Sequence, residues 1–347
     1  MKYVLESNLQ KLRTFQLELN EFADWTVEEF NLLKKGLIPS TSFRRRVFHD
    51  DLDSDEDAFR RSLQKLYQRH YHSRRIKRSM INRRRHQKSY SRRGFSDWFW
   101  NLINSDGSSG NNNNNSNGGS SQSSNSFDWR SKNVVGSIKN QLNCGCCYAF
   151  ATAAVLESLY AIKNKARSVT DLSAQQILDC SSDGNNGCSG GNFPPSLRYL
   201  STQGAKLATF ASYPYAGKKQ ICRTSGTNQV NLGQIQYGSI PQGDENNMAQ
   251  TLVSSGPLFI GLDADSKLFM FYKAGILSIS NCPNRRQDMD HAMTVVGYGY
   301  DSALKKSYWI IKNSWGEKWG ESGYLRLAKD EGNMCGIASM AYYAKLT

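Results

Sequence analysis

Eight cysteines, all after residue 140, constrain this 347-residue chain more than any other feature. They are Cys144, Cys146, Cys147, Cys180, Cys188, Cys222, Cys282 and Cys335. Such a cluster suits a disulfide-braced domain in an oxidising compartment. Buried free thiols are the plain alternative, and zinc is a third. Structural zinc needs four Cys or His ligands, yet residues 127–347 hold one histidine, His291, and no paired Cys-x-x-Cys knuckles. No metal or cofactor is expected.

The cysteine-rich part is set off by composition. Residues 104–126 are almost only Asn, Ser and Gly. They lack apolar groups to offset ordering entropy and read as a tether spanning roughly 25 Å. The net charge is +14, with 22 Lys and Arg against 16 Asp and Glu in residues 127–347, and 22 against 14 before them. The basic excess therefore belongs mainly to the N-terminal part. Within residues 40–103 it runs through Arg44-Arg45-Arg46, Arg60-Arg61, Arg74-Arg75, Arg83-Arg84-Arg85 and Arg92-Arg93. Phe59, Leu63, Leu66, Tyr67 and Tyr71 would stripe a helix from Ser54 to about Arg78. A solvated helix is the plain reading of this basic insert, and a polyanion or acidic-membrane contact the sharper one. No segment reaches the length of a membrane span. Residues 1–20 lack the apolar run of a secretory leader, so a lysosomal or secreted fate implies that the leader is missing from this chain.

Periodicity gives the elements. Leu5, Leu9, Leu12 and Phe15 fall at helical spacing, and Thr26 with Glu28 and Glu29 marks a helix start that Gly36 and Pro39 stop. Residues 147–163 form a helix with Phe150, Leu156, Leu159 and Ile162 as apolar members, and Ser173 to Cys180 a shorter one. From about residue 230 the texture is strand-like, with runs at 258–260, 293–296, 308–311 and 324–327. Helices first and strands later indicate an α+β protein with two lobes.

A nucleophilic cysteine needs its thiol pKa lowered by a helix N-terminus or a neighbouring imidazolium. Cys147 stands where the helical pattern begins. His291 is the one base available in this part, and Asn313, in Lys312-Asn313-Ser314-Trp315-Gly316, suits the group that orients it. Together with Gln141, Cys144-Gly145, Cys147-Tyr148-Ala149-Phe150 and Asp290-His291-Ala292, these motifs resemble the papain family of cysteine proteases, whose cysteine signature is well known. The resemblance runs from about Phe127 to the C-terminus. Gly320 to Tyr324 and Asn333 to Ser339 point to the cathepsin L-like branch.

The resemblance implies a papain-like two-lobed fold, one lobe mainly helical and one β-barrel-like, with the cleft between them. It implies Cys147 as nucleophile, His291 as the proton acceptor and donor, Asn313 as its orienting amide, and Gln141 with the Cys147 N–H as oxyanion donors. Trp315 would shield the His291–Asn313 contact. Gly190 and Gly191 would receive an extended substrate backbone. Asn192, Phe193, Gly261, Ala292 and Met340 would wall the pocket for the residue two before the cut, which suits a hydrophobic side chain. The implied disulfides are Cys144–Cys188, Cys180–Cys222 and Cys282–Cys335. Cys146 departs from the family, which has a small residue there. It reads as a free thiol filling a serine-sized space, with a redox switch on Cys147 as the alternative.

Leu19 to Phe30 resembles the latter part of the inhibitory prosegment of cathepsin L-like enzymes, which lies in the cleft in reverse direction. The longer helix that precedes it in the family is mostly absent, which implies an incomplete chain. The expected organisation is a partial prodomain at 1–39, a partly helical basic insert at 40–103, the tether at 104–126 and a peptidase domain at 127–347. Arg75-Ile76-Lys77-Arg78 reads either as a dibasic processing site or as a charged helix face. The expected activity is that of a monomeric endopeptidase zymogen acting on proteins and peptides, since no spare histidine or insertion suggests an exopeptidase. A catalytically idle polyanion-binding or inhibitory protein on the same fold is the alternative.

Overall fold

The computed structural model describes Val4 and residues 14–38 and 126–347. The chain divides into two compact units, Met1–Phe48 with Ser124–Thr347, and His49–Ser123. The second unit, with the helix expected from Ser54 to Arg78 and nearly all of the tether, lies outside the described residues.

The N-terminal segment supplies strand β1, Phe15–Leu17, and helix α1, Val27–Lys34. Thr26 closes a capping box on α1. Its hydroxyl accepts the Glu29 N–H at 3.1 Å, and the Glu29 carboxylate accepts the Thr26 N–H at 2.9 Å. The helix ends at Lys35, which is extended. Phe15 was expected on a helical stripe, but it lies in a strand whose ends are buried and whose middle is exposed. Pairing with a distant sheet edge overrides the local spacing there. Leu5, Leu9 and Leu12 lie outside the described residues.

The remainder begins with β2, Phe127–Asp128, followed by α2, Cys147–Lys163, α3, Ala174–Cys180, and α4, Phe193–Thr202. Next come β3, Lys206–Ala208, β4, Gln229–Asn231, and β5, Ile235–Ser239. Helix α5, Glu245–Ser255, interrupts the stretch expected to be strands. Asp244 caps it, and Met248 and Leu252, four apart, turn to the core. Then follow β6, Leu258–Leu262, α6, Lys267–Met270, and β7, Tyr272–Leu277. The chain ends with β8, His291–Asp301, β9, Lys306–Lys312, β10, Tyr324–Ala328, and β11, Met340–Leu346.

Helices α2 to α4 make one lobe and a sheet ordered β1-β7-β10-β9-β8-β6-β11-β5 makes the other, with β2 paired to β8. This is the expected α+β, two-lobed architecture. Helix α2 is buried on nearly every side from Cys147 to Leu159, as its run of Ala and apolar residues requires. Its one buried acid, Glu157, meets Lys312 at 3.6 Å, Lys139 at 3.5 Å and the Leu172 N–H at 2.9 Å. That pairing offsets the desolvation of a carboxylate and ties α2 to β9. Register then places the chemistry: in the β6–β8 ladder Gly261 faces Ala292 and Leu262 faces His291.

Candidate active site

Cys147 is the first residue of α2, where the helix dipole favours a thiolate. Its Sγ accepts the Ala292 N–H at 3.3 Å, so the first turn of α2 meets the first residues of β8. His291 opens β8, and Asn313 directly follows β9, its neighbour in the sheet. The His291 Nε2 and Asn313 Oδ1 are 2.9 Å apart. An amide oxygen only accepts, so Nε2 carries the proton and Nδ1 the lone pair. Nδ1 has no hydrogen-bond partner, so the contact from thiol to imidazole is not made in this form. The Trp315 ring lies over His291 with centroids 4.5 Å apart.

Gln141 is fully buried. Its Oε1 accepts the Ser314 hydroxyl at 2.7 Å, which aims Nε2 at the Cys144 carbonyl, 2.9 Å away, and the Lys34 carbonyl, 3.0 Å away. Ser314 thus positions Gln141, a role the sequence did not suggest although both lie in quoted motifs. Burial pushes the Cys147 thiol up to about 12 and holds His291 down at about 3. Both groups are neutral in the closed cleft.

The cleft is closed by the N-terminal segment. β1 pairs antiparallel with β7, and Phe22 and Phe30 stand edge-on to Trp315 at 5.8 and 5.0 Å. Beyond α1, the Gly36 and Leu37 N–H groups donate to the Asp290 carbonyl at 3.2 and 3.0 Å. Ile38 donates to the Gly191 carbonyl at 2.9 Å, and Gly191 donates to the Gly36 carbonyl at 2.8 Å. Gly190 needs its hydrogen side chain, with φ of +117° and a Cβ position 2.9 Å from Ile38 Cγ1.

Leu37 enters the pocket assigned to the residue two before the cut. Its Cδ2 lies 2.3 Å from where a Cβ on Gly261 would stand, with Met340 Sδ at 3.3 Å and Met289 Cβ at 3.4 Å from that point. Met289 was not foreseen as a wall. Asn192 donates to the Ile38 carbonyl at 2.7 Å and sits 3.6 Å from Met340 Sδ. Phe193 is fully buried and stacks on Phe259 at 4.8 Å, toward the core. Ala292 is buried beside Cys147.

The bridges are Cys144–Cys188, Cys180–Cys222 and Cys282–Cys335. Cys146 and Cys147 are free. Cys146 is wholly buried, 3.2 Å from the Tyr215 hydroxyl, which itself donates to the Gln141 carbonyl at 2.5 Å. Burial pushes the Cys146 thiol far above its ordinary value. A buried, protonated, hydrogen-bonded thiol supports the space-filling reading over the redox switch.

The family model for papain family cysteine protease matches residues 123–345, and the chain belongs to that family. It is similar to the cathepsin L of Sarcophaga peregrina, 38% identical over 221 residues, which are 63% of this chain and 62% of that protein. A silicatein of Petrosia ficiformis is 40% identical over 223 residues, again 63% of this chain and 62% of that protein. The chain thus matches about 62% of the length of these two curated relatives. Among solved structures, a digestive procathepsin L2 proteinase from the larval midgut of Tenebrio molitor superposes with a TM-score of 0.69. It is 26% identical, covering 99% of this chain and 89% of that one.

Proposed function

We propose that the chain is the zymogen of a cysteine endopeptidase that cleaves peptide bonds in proteins through a thioester. The observation that carries this reading is the Lys34 carbonyl. A peptide group of the chain itself rests on Gln141 Nε2 at 3.0 Å, across from the fully buried Cys147. The segment runs from Trp315 toward the Leu37 pocket, against the direction that the family's substrates take. It fills the cleft without presenting a bond in cleavable order.

Removing the segment lets water back in and lifts the penalty on charge. The Cys147 proton then passes to His291 Nδ1. The thiolate attacks the substrate carbonyl carbon while the Gln141 amide and the Cys147 N–H hold the developing oxyanion. His291 returns the proton to the amine as the C–N bond breaks, leaving an acyl group on Sγ. Water loses a proton to Nδ1, attacks the thioester and frees Cys147. Asn313 keeps the ring turned, and Trp315 keeps water from the Nε2 contact.

Leu37 in the pocket supports a hydrophobic preference two positions before the cut. Peptides with Phe-Arg or Leu-Arg before the cut are expected to show kcat/KM roughly tenfold or more above an Arg-Arg peptide, because none of the walls named, Asn192, Phe193, Gly261, Met289, Ala292 and Met340, is an acid that could pair a buried guanidinium. A preference for Arg two before the cut would contradict this.

The segment at 1–39 acts as the chain's own inhibitor and the domain at 127–347 as the peptidase. Three disulfides suit a lysosomal or extracellular setting. No helix among the described residues is long and apolar enough to cross a membrane. One chain supplies all the proposed catalytic groups, which is compatible with a monomeric enzyme. The polyanion contact of the basic insert rests on charge alone, since residues 40–103 lie outside the described residues.

Closure has a pH dependence with two opposing parts. His291 falls from 6.5 to about 3 in the closed cleft, so closure loses stability as pH drops from 6.5 toward 3. Burial raises Asp290 from 3.8 to about 6, against the pull of Lys35, so closure gains stability as pH drops from 6 toward 3.8. Lys34, lowered to about 8 by burial, stays protonated throughout that range. Between pH 6 and 4 the two parts oppose each other. In a Cys147→Ala background, Asp290→Asn should leave the His291 part unopposed. Opening of β1 and α1, followed by hydrogen exchange, should then rise roughly tenfold per pH unit between 6 and 4. An unchanged pH slope would refute this account.

A further inference from the structure

We propose that Asp265 and Asp290 form a cation-selective subsite for the substrate side chain immediately after the cut, so that the enzyme favours Lys or Arg there. This deepens the endopeptidase reading and rests on it. The Lys35 ammonium already occupies the place. It lies 2.6 Å from Asp290 Oδ2 and contacts Asp265 Oδ1, with its own side chain only 5% exposed. Asp290 Oδ1 is engaged by the Ala264 N–H at 3.0 Å, and the Asp265 N–H by Asp263 Oδ1 at 3.2 Å. The loop after β6 is therefore braced around the cation. The carboxylates of Asp263, Asp265 and Asp290 lie within 4.8 Å of one another. Once the segment leaves, Asp265 and Asp290 lose the ammonium they pair with, which leaves an acidic site open to an incoming cation.

The direction of β6 fixes which side of the cut this is. Gly261 faces Ala292 and walls the Leu37 pocket, and Leu262 faces His291. Asp263, Ala264 and Asp265 continue past His291, away from that pocket. His291 protonates the leaving amine, so the acids flank the amine side of the bond. The segment agrees: Lys35 falls between Leu37 in the pocket and Phe30 on Trp315. The signal in sequence is the pair of acids that ends an apolar strand, Leu262-Asp263-Ala264-Asp265, but nothing there pairs it with Asp290 or Lys35.

The test uses the full chain, activated by removal of its N-terminal segment, and three internally quenched peptides. They share Phe two positions before the cut and differ only in Lys, Ala or Glu just after it. Mass spectrometry locates each cut. The expected kcat/KM is roughly tenfold higher for Lys than for Ala, and lower for Glu than for Ala. Asp265 is 56% exposed, so its substitution does not disturb the core. Asp265→Asn should lower the Lys-to-Ala ratio, and Asp265→Lys should shift preference toward the Glu peptide. Equal rates for all three peptides, or a ratio unchanged in Asp265→Asn, would overturn the subsite alone. Cleavage of none of them would overturn the endopeptidase reading as well.

Discussion

Cys147→Ala lowers peptide hydrolysis by roughly 10⁴- to 10⁶-fold, the scale seen when a covalent nucleophile is removed. The size follows from the site. Cys147 is the one free thiol that touches the β8 strand carrying His291, and the residual donors at Gln141 and the backbone stabilise an oxyanion that no longer has a nucleophile to form it. The fold survives, because the substitution removes one weak contact to the Ala292 N–H and leaves the helix intact. The measurement is hydrolysis of a Phe-Arg peptide, paired with a thiol-directed epoxide probe and peptide mapping. Label on Cys147 in the parent and none in the variant is the expected result. Retained activity, or label on Cys146 in its place, would refute the assignment.

Gly36→Ala opens the zymogen without any cleavage. A Cβ on Gly36 would stand 1.8 Å from the Gly145 carbonyl oxygen and 2.3 Å from its carbon, both backbone atoms of the loop that precedes Cys147. Neither can yield as a flexible side chain does, so the segment must lift away from the cleft. Overpacking of this kind costs about 1–3 kcal/mol, which is roughly 5- to 150-fold in the open population. The uncleaved variant is therefore expected to react with the epoxide probe at Cys147 that much faster than the uncleaved parent. The anchors farther back, β1 on β7 and Phe22 and Phe30 on Trp315, remain, so the segment stays attached while its reach across Cys147 is lost. Equal labelling rates would show that Gly36 does not gate the site.

Much of the site was legible because the motifs are local. Helix α2 spans the residues that its apolar run indicated, and α3 lies in the stretch expected from Ser173 to Cys180, with Ser173 as its cap. The strands at 258–262, 306–312 and 324–328 contain the apolar runs read from sequence. The failures share a cause. Phe15 kept helical spacing yet became a strand, because β7 offered an edge some 260 residues later in the chain. Helix α5 was hidden in a strand-rich region, where its two inward residues make too short a pattern to stand out. Met289 and Ser314 have no sequence signature for what they do, since each acts only by touching a residue far from it in the chain.

The sequence by itself determined which groups could do chemistry: one histidine within reach of the cysteine cluster, a helix that starts on Cys147, and an amide after an apolar strand. Those are matters of residue type and short spacing, and a single chain carries them openly. Only the tertiary structure decided that the cleft is shut and by what. Lys35 reaches Asp265 and Asp290 across 230 and 255 residues, and the Lys34 carbonyl reaches Gln141 across 107. Contacts at such separations depend on how β6, β8 and the N-terminal segment pack, and burial in that packing is what keeps Cys147 and His291 uncharged.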